Sequence, residues 1–182
     1  GKDCDLITFE IEHINVDALE SLEKIGKAIY PKSKTLRIIQ DKNLQKSFFK
    51  KNNIPTSNFE YFKSLDELKK SIEDNKVKFP CVWKKTKFGY DGFGVKILNS
   101  FDDINNLPNS EMIIEDYIPF EKELSVIVAR NVKGDIKCYR TVEMEFNNIS
   151  NQVEYVISPG KISEEIDNEA QKLAIKLSES LD

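Results

Sequence analysis

The sequence predicts an α+β protein, and three observations predict it. Helical spacing of apolar residues dominates from Asn15 to Asn75, alternating strand-like runs separated by turn residues dominate from Pro80 to Ile157, and one long amphipathic pattern follows Ser163. The change of texture between Asn75 and Pro80 is the expected boundary between a mainly helical part and a smaller part built on antiparallel strands.

The elements follow in order. Leu6 to Glu12 reads as a strand, with Ile7, Phe9 and Ile11 on one face and Thr8, Glu10 and Glu12 on the other, so that its end presents carboxylates. Asn15 caps a helix through about Ile25 that turns Val16, Leu19 and Leu22 inward, and Gly26 stops it. A second helix begins near Ser33. A third has Asp41 as its cap, places Leu44 and Phe48 one turn apart, and ends at Asn53-Ile54-Pro55. Phe59 to Phe62 is a short strand, and Ser64-Leu-Asp-Glu67 is a capping box for a helix with Leu65, Leu68 and Ile72 as its apolar stripe.

Cys81 to Lys84 and Val95 to Leu98 form a hairpin around a Gly-rich loop, followed by a short helix or turn at Phe101 to Leu107 and a strand at Met112 to Glu115. Glu123 to Arg130 is expected as one strand with Leu124, Val126 and Val128 on a face, turned back by Lys133-Gly134-Asp135 through Ile136 to Glu145. A polar turn at 147–152 leads to a strand at Val153 to Ile157. Ser163 caps the final helix, with Ile166, Ala170, Leu173, Leu177 and Leu181 in register.

Composition narrows the function. Of 182 residues, 40% are hydrophobic and 32% charged, which is globular; 27 basic against 31 acidic residues give −4, without the basic excess that a nucleic-acid backbone requires. No nucleic-acid partner is expected. No apolar run approaches the ~20 residues that span a bilayer, and Gly1-Lys2-Asp3-Cys4-Asp5 has no apolar signal core, so no membrane partner and a cytoplasmic location are expected. Cys4, Cys81 and Cys138 are far apart and lack CxxC spacing, so neither a disulfide framework nor a zinc site is expected; Cys81, among apolar neighbours, reads as a core residue. The single histidine, His13, excludes a polyhistidine metal site and reads as structural. The absence of an initiator Met and the abrupt Leu181-Asp182 end suggest an excerpt of a longer chain.

Three segments can carry chemistry. In Lys84-Lys-Thr-Lys-Phe-Gly-Tyr-Asp-Gly-Phe-Gly94 the three glycines, Gly89, Gly92 and Gly94, let backbone N–H groups cradle a phosphate, or simply close a hairpin. Lys84, at the end of an apolar strand beside that loop, either reaches a nucleotide phosphate as a point charge or points to solvent. Glu115-Asp-Tyr-Ile118, extended before Pro119, offers backbone groups to a flat heterocycle; its carboxylates and Glu123 beyond the bend can accept from an exocyclic amine or ribose hydroxyls, or form an acidic surface loop.

Together these segments resemble ATP-grasp enzymes, and more closely the 5-(carboxyamino)imidazole ribonucleotide synthetase family. Thr8-Phe-Glu-Ile-Glu-His13, Ile39-Gln-Asp-Lys-Asn-Leu-Gln-Lys46, Gly89-Tyr-Asp-Gly-Phe-Gly94, and Glu115 through Glu123 into Leu124-Ser-Val-Ile-Val-Ala-Arg130 carry the resemblance, in order and over essentially the whole chain. It implies a partial ATP-grasp fold: residues 1–40 would end a Rossmann-like N-terminal domain, 41–79 would be the first helical part of the ATP-grasp domain, 80–146 its lid subdomain, and 147–182 the start of its C-terminal subdomain.

The resemblance further implies that ATP phosphorylates bicarbonate to carboxyphosphate, which carboxylates the amine of 5-aminoimidazole ribonucleotide and releases ADP and phosphate. Lys42 and Lys84 would contact the ATP phosphates, Glu115 and the backbone of Asp116, Tyr117 and Ile118 would hold adenine, and Glu123 would bind the ribose. Tyr90 and Asp91, with Glu10 or Glu12, would face the ribonucleotide, beside the phosphate loop of Gly89, Gly92 and Gly94. The family has magnesium ligands and an Asn-Glu motif beyond these residues, no metal site within them, and commonly a homodimer. The piece alone is therefore expected to be inactive. Three positions depart from the pattern: Phe88 replaces the first of a glycine pair, Phe93 a basic residue, and Arg140 a proline. Another ATP-grasp ligase, such as a formate-dependent transformylase or a biotin carboxylase, and a noncatalytic nucleotide-binding module are the alternative readings.

Overall fold

The computed structural model describes residues 1, 3–89, 94–147 and 152–181, and its chain forms two compact units, residues 1–50 with 56–117 and residues 51–55 with 118–182. The α+β class holds. The units change at 50/51, 55/56 and 117/118, and the strand at Phe59–Phe62, before Asn75, hydrogen-bonds to the strand at Met112–Asp116, beyond Pro80.

In the first unit β1 (Leu6–Thr8) pairs in parallel with β2 (Ala28–Tyr30). β1 ends at Thr8 instead of Glu12 because its partner runs out: Thr8 lies opposite Tyr30, and Pro31, which follows, has no N–H to extend the ladder. β2 is short and flanked by Gly26-Lys27 and Pro31, which hides it from a periodicity search. α1 (Val16–Lys24) is capped by Asn15, whose side chain accepts from the Ala18 amide at 3.0 Å. Val16 and Leu19 pack with Ile29 of β2 and Leu36 of α2 (Ser33–Gln40). The cap of α2 comes from elsewhere in the fold: Glu23 on α1 accepts from both the amide and the hydroxyl of Ser33.

α3 (Lys42–Lys51) starts on Asp41, whose carboxylate accepts from the amides of Asn43 and Leu44 at 2.9 and 3.1 Å. Of its apolar pair, Phe48 is half-buried and Leu44 is exposed. β3 (Phe59–Phe62), β4 (Cys81–Lys85), β5 (Val95–Leu98) and β6 (Met112–Asp116) form one antiparallel sheet in the order β3-β6-β4-β5. Its register puts Phe62 beside Met112, Ile114 beside Trp83, and Cys81 beside Leu98. That face packs on Leu68 of α4 (Leu65–Glu73) and on Ile104 and Leu107 at the 3-10 turn Phe101–Asn106. The Ser64 hydroxyl accepts from the Glu67 amide as a capping box requires, but Glu67 returns its bond to the Lys63 amide rather than to Ser64.

In the second unit the two long strands expected at Glu123–Arg130 and Ile136–Glu145 are each broken. β7 (Glu123–Ser125) joins β10 (Val142–Phe146) and β11 (Val153–Ile157) in one sheet, whereas β8 (Val128–Arg130) and β9 (Ile136–Cys138) pair separately. At the break Tyr139 donates its amide to the Ile127 carbonyl, while the Thr141 amide leaves the ladder for the carboxylate of Asp167 at 2.9 Å. Asp167 lies on α5 (Glu164–Ser180), capped by Ser163. It also receives Gln171 at 2.9 Å and Arg140 at 3.3 Å. These bonds turn the helix so that Asp167 is its one fully buried residue and Ile166, the first residue of the expected apolar stripe, is 45% exposed. The departure at Arg140 thus gives a charged partner to a buried carboxylate. The expected turn at 147–152 closes with the Asn147 amide on the Gln152 carbonyl, and its residues 148–151 lie outside the described residues. No helix among the described residues is long and apolar enough to cross a membrane.

Leu68 is fully buried in the sheet core. Leu68→Ala is expected to cost about 2–5 kcal/mol in urea unfolding, and Ile166→Ala about 0.5 kcal/mol or less.

Candidate functional site

The face of the sheet opposite its apolar core carries the polar groups. On β6, Ile114 points into the core, so alternation puts Ile113 and Glu115 on the other face; Lys84 sits opposite Ile113 and is therefore a diagonal neighbour of Glu115. Lys84 Nζ lies 3.1 Å from Glu115 Oε2. Lys46, from α3, places its Nζ 3.2 Å from the same oxygen and donates to Thr56 Oγ1 at 2.7 Å and Ser57 Oγ at 2.6 Å. Ser57 in turn donates to Glu115 Oε2 at 2.9 Å. Glu115 Oε1 is buried and has no hydrogen-bond partner among the described residues.

Two ammonium groups on one carboxylate leave this corner with an excess positive charge. The Glu115 side chain is 7% exposed, that of Lys46 12% and that of Lys84 28%. Burial opposes charge on Glu115, but the ammonium groups of Lys84 and Lys46 and the hydrogen bonds from Lys84 and Ser57 outweigh it and hold the carboxyl below its usual range. Burial lowers Lys46 below the usual lysine range against the pull of Glu115, and the nearby charges of Lys84 and Lys50 add to that fall. An anion placed here would offset the surplus positive charge of the two ammonium groups.

A second feature is a cavity of about 760 Å³ beside the start of α3, lined among others by Glu12, His13, Arg37, Lys42, Lys87 and Gly89. Its floor is fixed by two ties between α3 and the end of β4: the Lys42 amide donates to the Thr86 carbonyl at 2.9 Å, and Lys87 pairs with Asp41 at 3.4 Å. The loop that follows narrows at its neck, where the Lys85 amide donates to the Gly94 carbonyl at 2.8 Å. Gly94 has φ +82°, and a Cβ there would lie 3.3 Å from Gly89 Cα and from Lys85 Cβ, so this position requires glycine. Phe88 has φ +59° and is 75% exposed. It occupies a glycine's place in the pattern with a glycine's backbone conformation, at a cost of about 1 kcal/mol.

The structure brings some of the expected residues together and separates others. Lys84 and Glu115 touch; Lys42, Gly89 and Glu12 share the cavity, whereas Glu10 is exposed and outside its lining. Asp116 closes β6, with Asn58 Nδ2 on its carboxylate at 2.8 Å. Tyr117 and Ile118 follow it, half exposed, on either side of the division between units; Glu123 opens β7 opposite Met144. Tyr90, Asp91, Gly92 and Phe93 lie outside the described residues. Cys81 is buried, and burial, with the Asp116 charge, pushes its thiol up to about 11, which makes it an inert core residue. Among the described residues no group of three or more His, Cys, Asp or Glu side chains is arranged to hold a metal. Sequence reasoning missed Lys46, Thr56 and Ser57. The available signal was that Lys46 stands one helical turn after Lys42, and so on the same face of the helix.

Comparison with known proteins assigns the chain a family. An ATP-grasp domain model matches residues 47–182, and a ribonucleotide synthetase preATP-grasp domain model matches residues 1–40. The N5-carboxyaminoimidazole ribonucleotide synthase of a Synechocystis strain is 31% identical over 185 residues, covering all of this chain and 45% of its own. The crystal structure of the synthetase from Thermotoga maritima is 37% identical with a TM-score of 0.82, covering 99% of this chain and 45% of its own. That of the Aspergillus clavatus synthase, in complex with ADP and 5-aminoimidazole ribonucleotide, is 30% identical with a TM-score of 0.86, covering 100% of this chain and 47% of its own. The chain thus spans less than half the length of each of these three proteins.

Glu115→Gln removes the countercharge of two part-buried lysines. It is expected to destabilise the chain by about 3 kcal/mol at pH 7, near the lower end for a broken buried pair because Lys84 is partly solvated. A lowered carboxyl contributes stability above its unfolded value of roughly 4.3 and loses it as pH falls through the folded value, so the gap between the two proteins should close below about pH 4. Urea unfolding across pH measures it.

Proposed function

The chain belongs to the ATP-grasp family, and on that premise we propose that it forms the nucleotide-binding part of a carbon–nitrogen ligase of purine biosynthesis. The reaction is the ATP-dependent carboxylation of 5-aminoimidazole ribonucleotide with bicarbonate, through carboxyphosphate, giving 5-(carboxyamino)imidazole ribonucleotide, ADP and phosphate. The observation that carries this reading is the cationic corner at Glu115, with its unpartnered acceptor Oε1. A nucleoside triphosphate needs both features, cations for its phosphates and an anionic acceptor for the amine of its base.

Each residue then has a role. Lys84 makes one hydrogen bond in the described network and has two N–H donors left for a phosphate oxygen. Lys42, at the cavity, supplies a second point of positive charge. Glu115 accepts from the exocyclic amine of adenine while the backbone of Asp116, Tyr117 and Ile118 lines its edge, and Glu123 takes the ribose hydroxyls. Glu12, or Glu10, and Tyr90 and Asp91 face the aminoimidazole ribonucleotide. The loop of Gly89, Gly92 and Gly94 covers the phosphates and keeps water from the acyl phosphate.

Magnesium, which neutralises the transferred phosphoryl group when bound, has no donor cluster among the described residues. We place its ligands in the part of the relatives' length that this chain does not span, which makes the chain incompetent for turnover by itself. We further propose homodimeric assembly, which the family resemblance implies, and the cytoplasmic location expected from the sequence.

Lys84→Ala is expected to weaken ATP binding to this chain by at least about tenfold, the loss of one charge-assisted contact. In a protein supplying the full length of the relatives, the same substitution should abolish phosphate release that depends on both bicarbonate and aminoimidazole ribonucleotide. Tight ATP binding without ribonucleotide-dependent phosphate release in the unsubstituted full-length protein would exclude the synthetase.

A further inference from the structure

We propose that Lys46 is a positioning residue that sets which purine the site accepts, by pinning the Glu115 carboxylate through Oε2 so that Oε1 stays unpartnered for an exocyclic amine. The inference rests on the nucleotide reading above and concerns a residue that makes no contact of its own with the ligand.

Donor arithmetic separates Lys46 from Lys84. An ammonium has three N–H donors. Those of Lys46 are all spent, on Thr56 Oγ1 at 2.7 Å, Ser57 Oγ at 2.6 Å and Glu115 Oε2 at 3.2 Å. With its side chain 12% exposed and its donors used, Lys46 has nothing to offer a phosphate. Lys84, more exposed and with one bond in this network, is free to turn toward one. When it does, Lys46 and Ser57 still hold the carboxylate.

The distribution of bonds on Glu115 points the same way. Lys46, Ser57 and Lys84 all converge on Oε2, at 3.2, 2.9 and 3.1 Å, while Oε1 is buried and unpartnered among the described residues. A carboxylate free to rotate shares such donors between its two oxygens; this one is held with one oxygen saturated and the other bare. A bare anionic oxygen accepts a hydrogen bond and gives none, so it welcomes a 6-amino purine and repels the oxygen of a 6-oxo purine. Without Lys46, Glu115 can turn both oxygens onto Lys84, which withdraws the acceptor and removes the discrimination.

The test is binding of ATP and of inosine triphosphate by calorimetry to the unsubstituted chain, Lys46→Met and Ser57→Ala. The unsubstituted chain should prefer ATP by at least roughly a hundredfold, because a site built to bond an N–H rejects the analogue that lacks it. Lys46→Met, which keeps the apolar stem, should cut that preference by about tenfold or more, almost wholly through weaker ATP binding. Ser57→Ala, which removes one donor to Oε2 and buries no new charge, should move it in the same direction by less, and carries the test if Lys46→Met does not fold. A role in stability alone would lower the unfolding midpoint and leave the ratio of affinities alone. A preference within about threefold of the unsubstituted value in folded variants that still bind ATP therefore overturns the positioning role and spares the nucleotide reading. No nucleotide binding by the unsubstituted chain overturns both.

Discussion

Glu115 ties the parts of the first unit's polar face together. It sits on the central pair of a four-stranded sheet, so its backbone is fixed by neighbours on both sides, and its side chain gathers Lys84 from β4, Lys46 from α3 and Ser57 from the segment before β3. A carboxylate buried to this extent is tolerated only when its charge is met. Here it is met by two cations, and the surplus makes the corner receptive to an anion. One constraint accounts for the placement of α3 over the sheet, for the lowered carboxyl, and for the chemistry that the site is suited to.

The two units are held in different ways. The first has two apolar clusters, one around Ile29 between α1, α2 and β2, the other around Leu68 and Met112 beneath the sheet. In the second, apart from Ile54, the buried side chains among the described residues are polar: Thr141, Glu143 and Asp167. Glu143 is met by Lys122 at 2.9 Å and the Lys161 amide at 3.1 Å, and Asp167 by donors from Arg140, Thr141 and Gln171. Hydrogen-bonded carboxylates of this kind orient a strand and a helix but supply less net stability than an apolar core.

Phe88 shows how a departure from a pattern is read in physical terms. A phenylalanine in the left-handed region pays for a conformation that glycine adopts freely, and three-quarters of it faces solvent, so packing returns little of that cost. Phe88 lines the cavity beside the start of α3, so the strained residue borders that cavity.

Much of the local structure was legible from residue to residue. Asn15, Asp41, Ser64 and Ser163 announced their helices because a capping side chain bonds to an amide two or three residues on, and the β4–β5 hairpin showed itself by alternation around a Gly-rich loop. Lys84 and Glu115 were legible as chemistry-bearing residues, and the structure brings them within 3.1 Å of each other. The sequence was silent on β2, on Glu23 as the cap of α2, on Asp167 as the buried residue of α5, and on Lys46 as a partner of Glu115. Each depends on groups that meet only when the chain has closed, as Ser57 and Glu115 do across 58 residues. Periodicity and caps are written within one turn or one strand; which carboxylate meets which lysine is decided by register and by the way α3 lies on the sheet, and those belong to the tertiary structure alone.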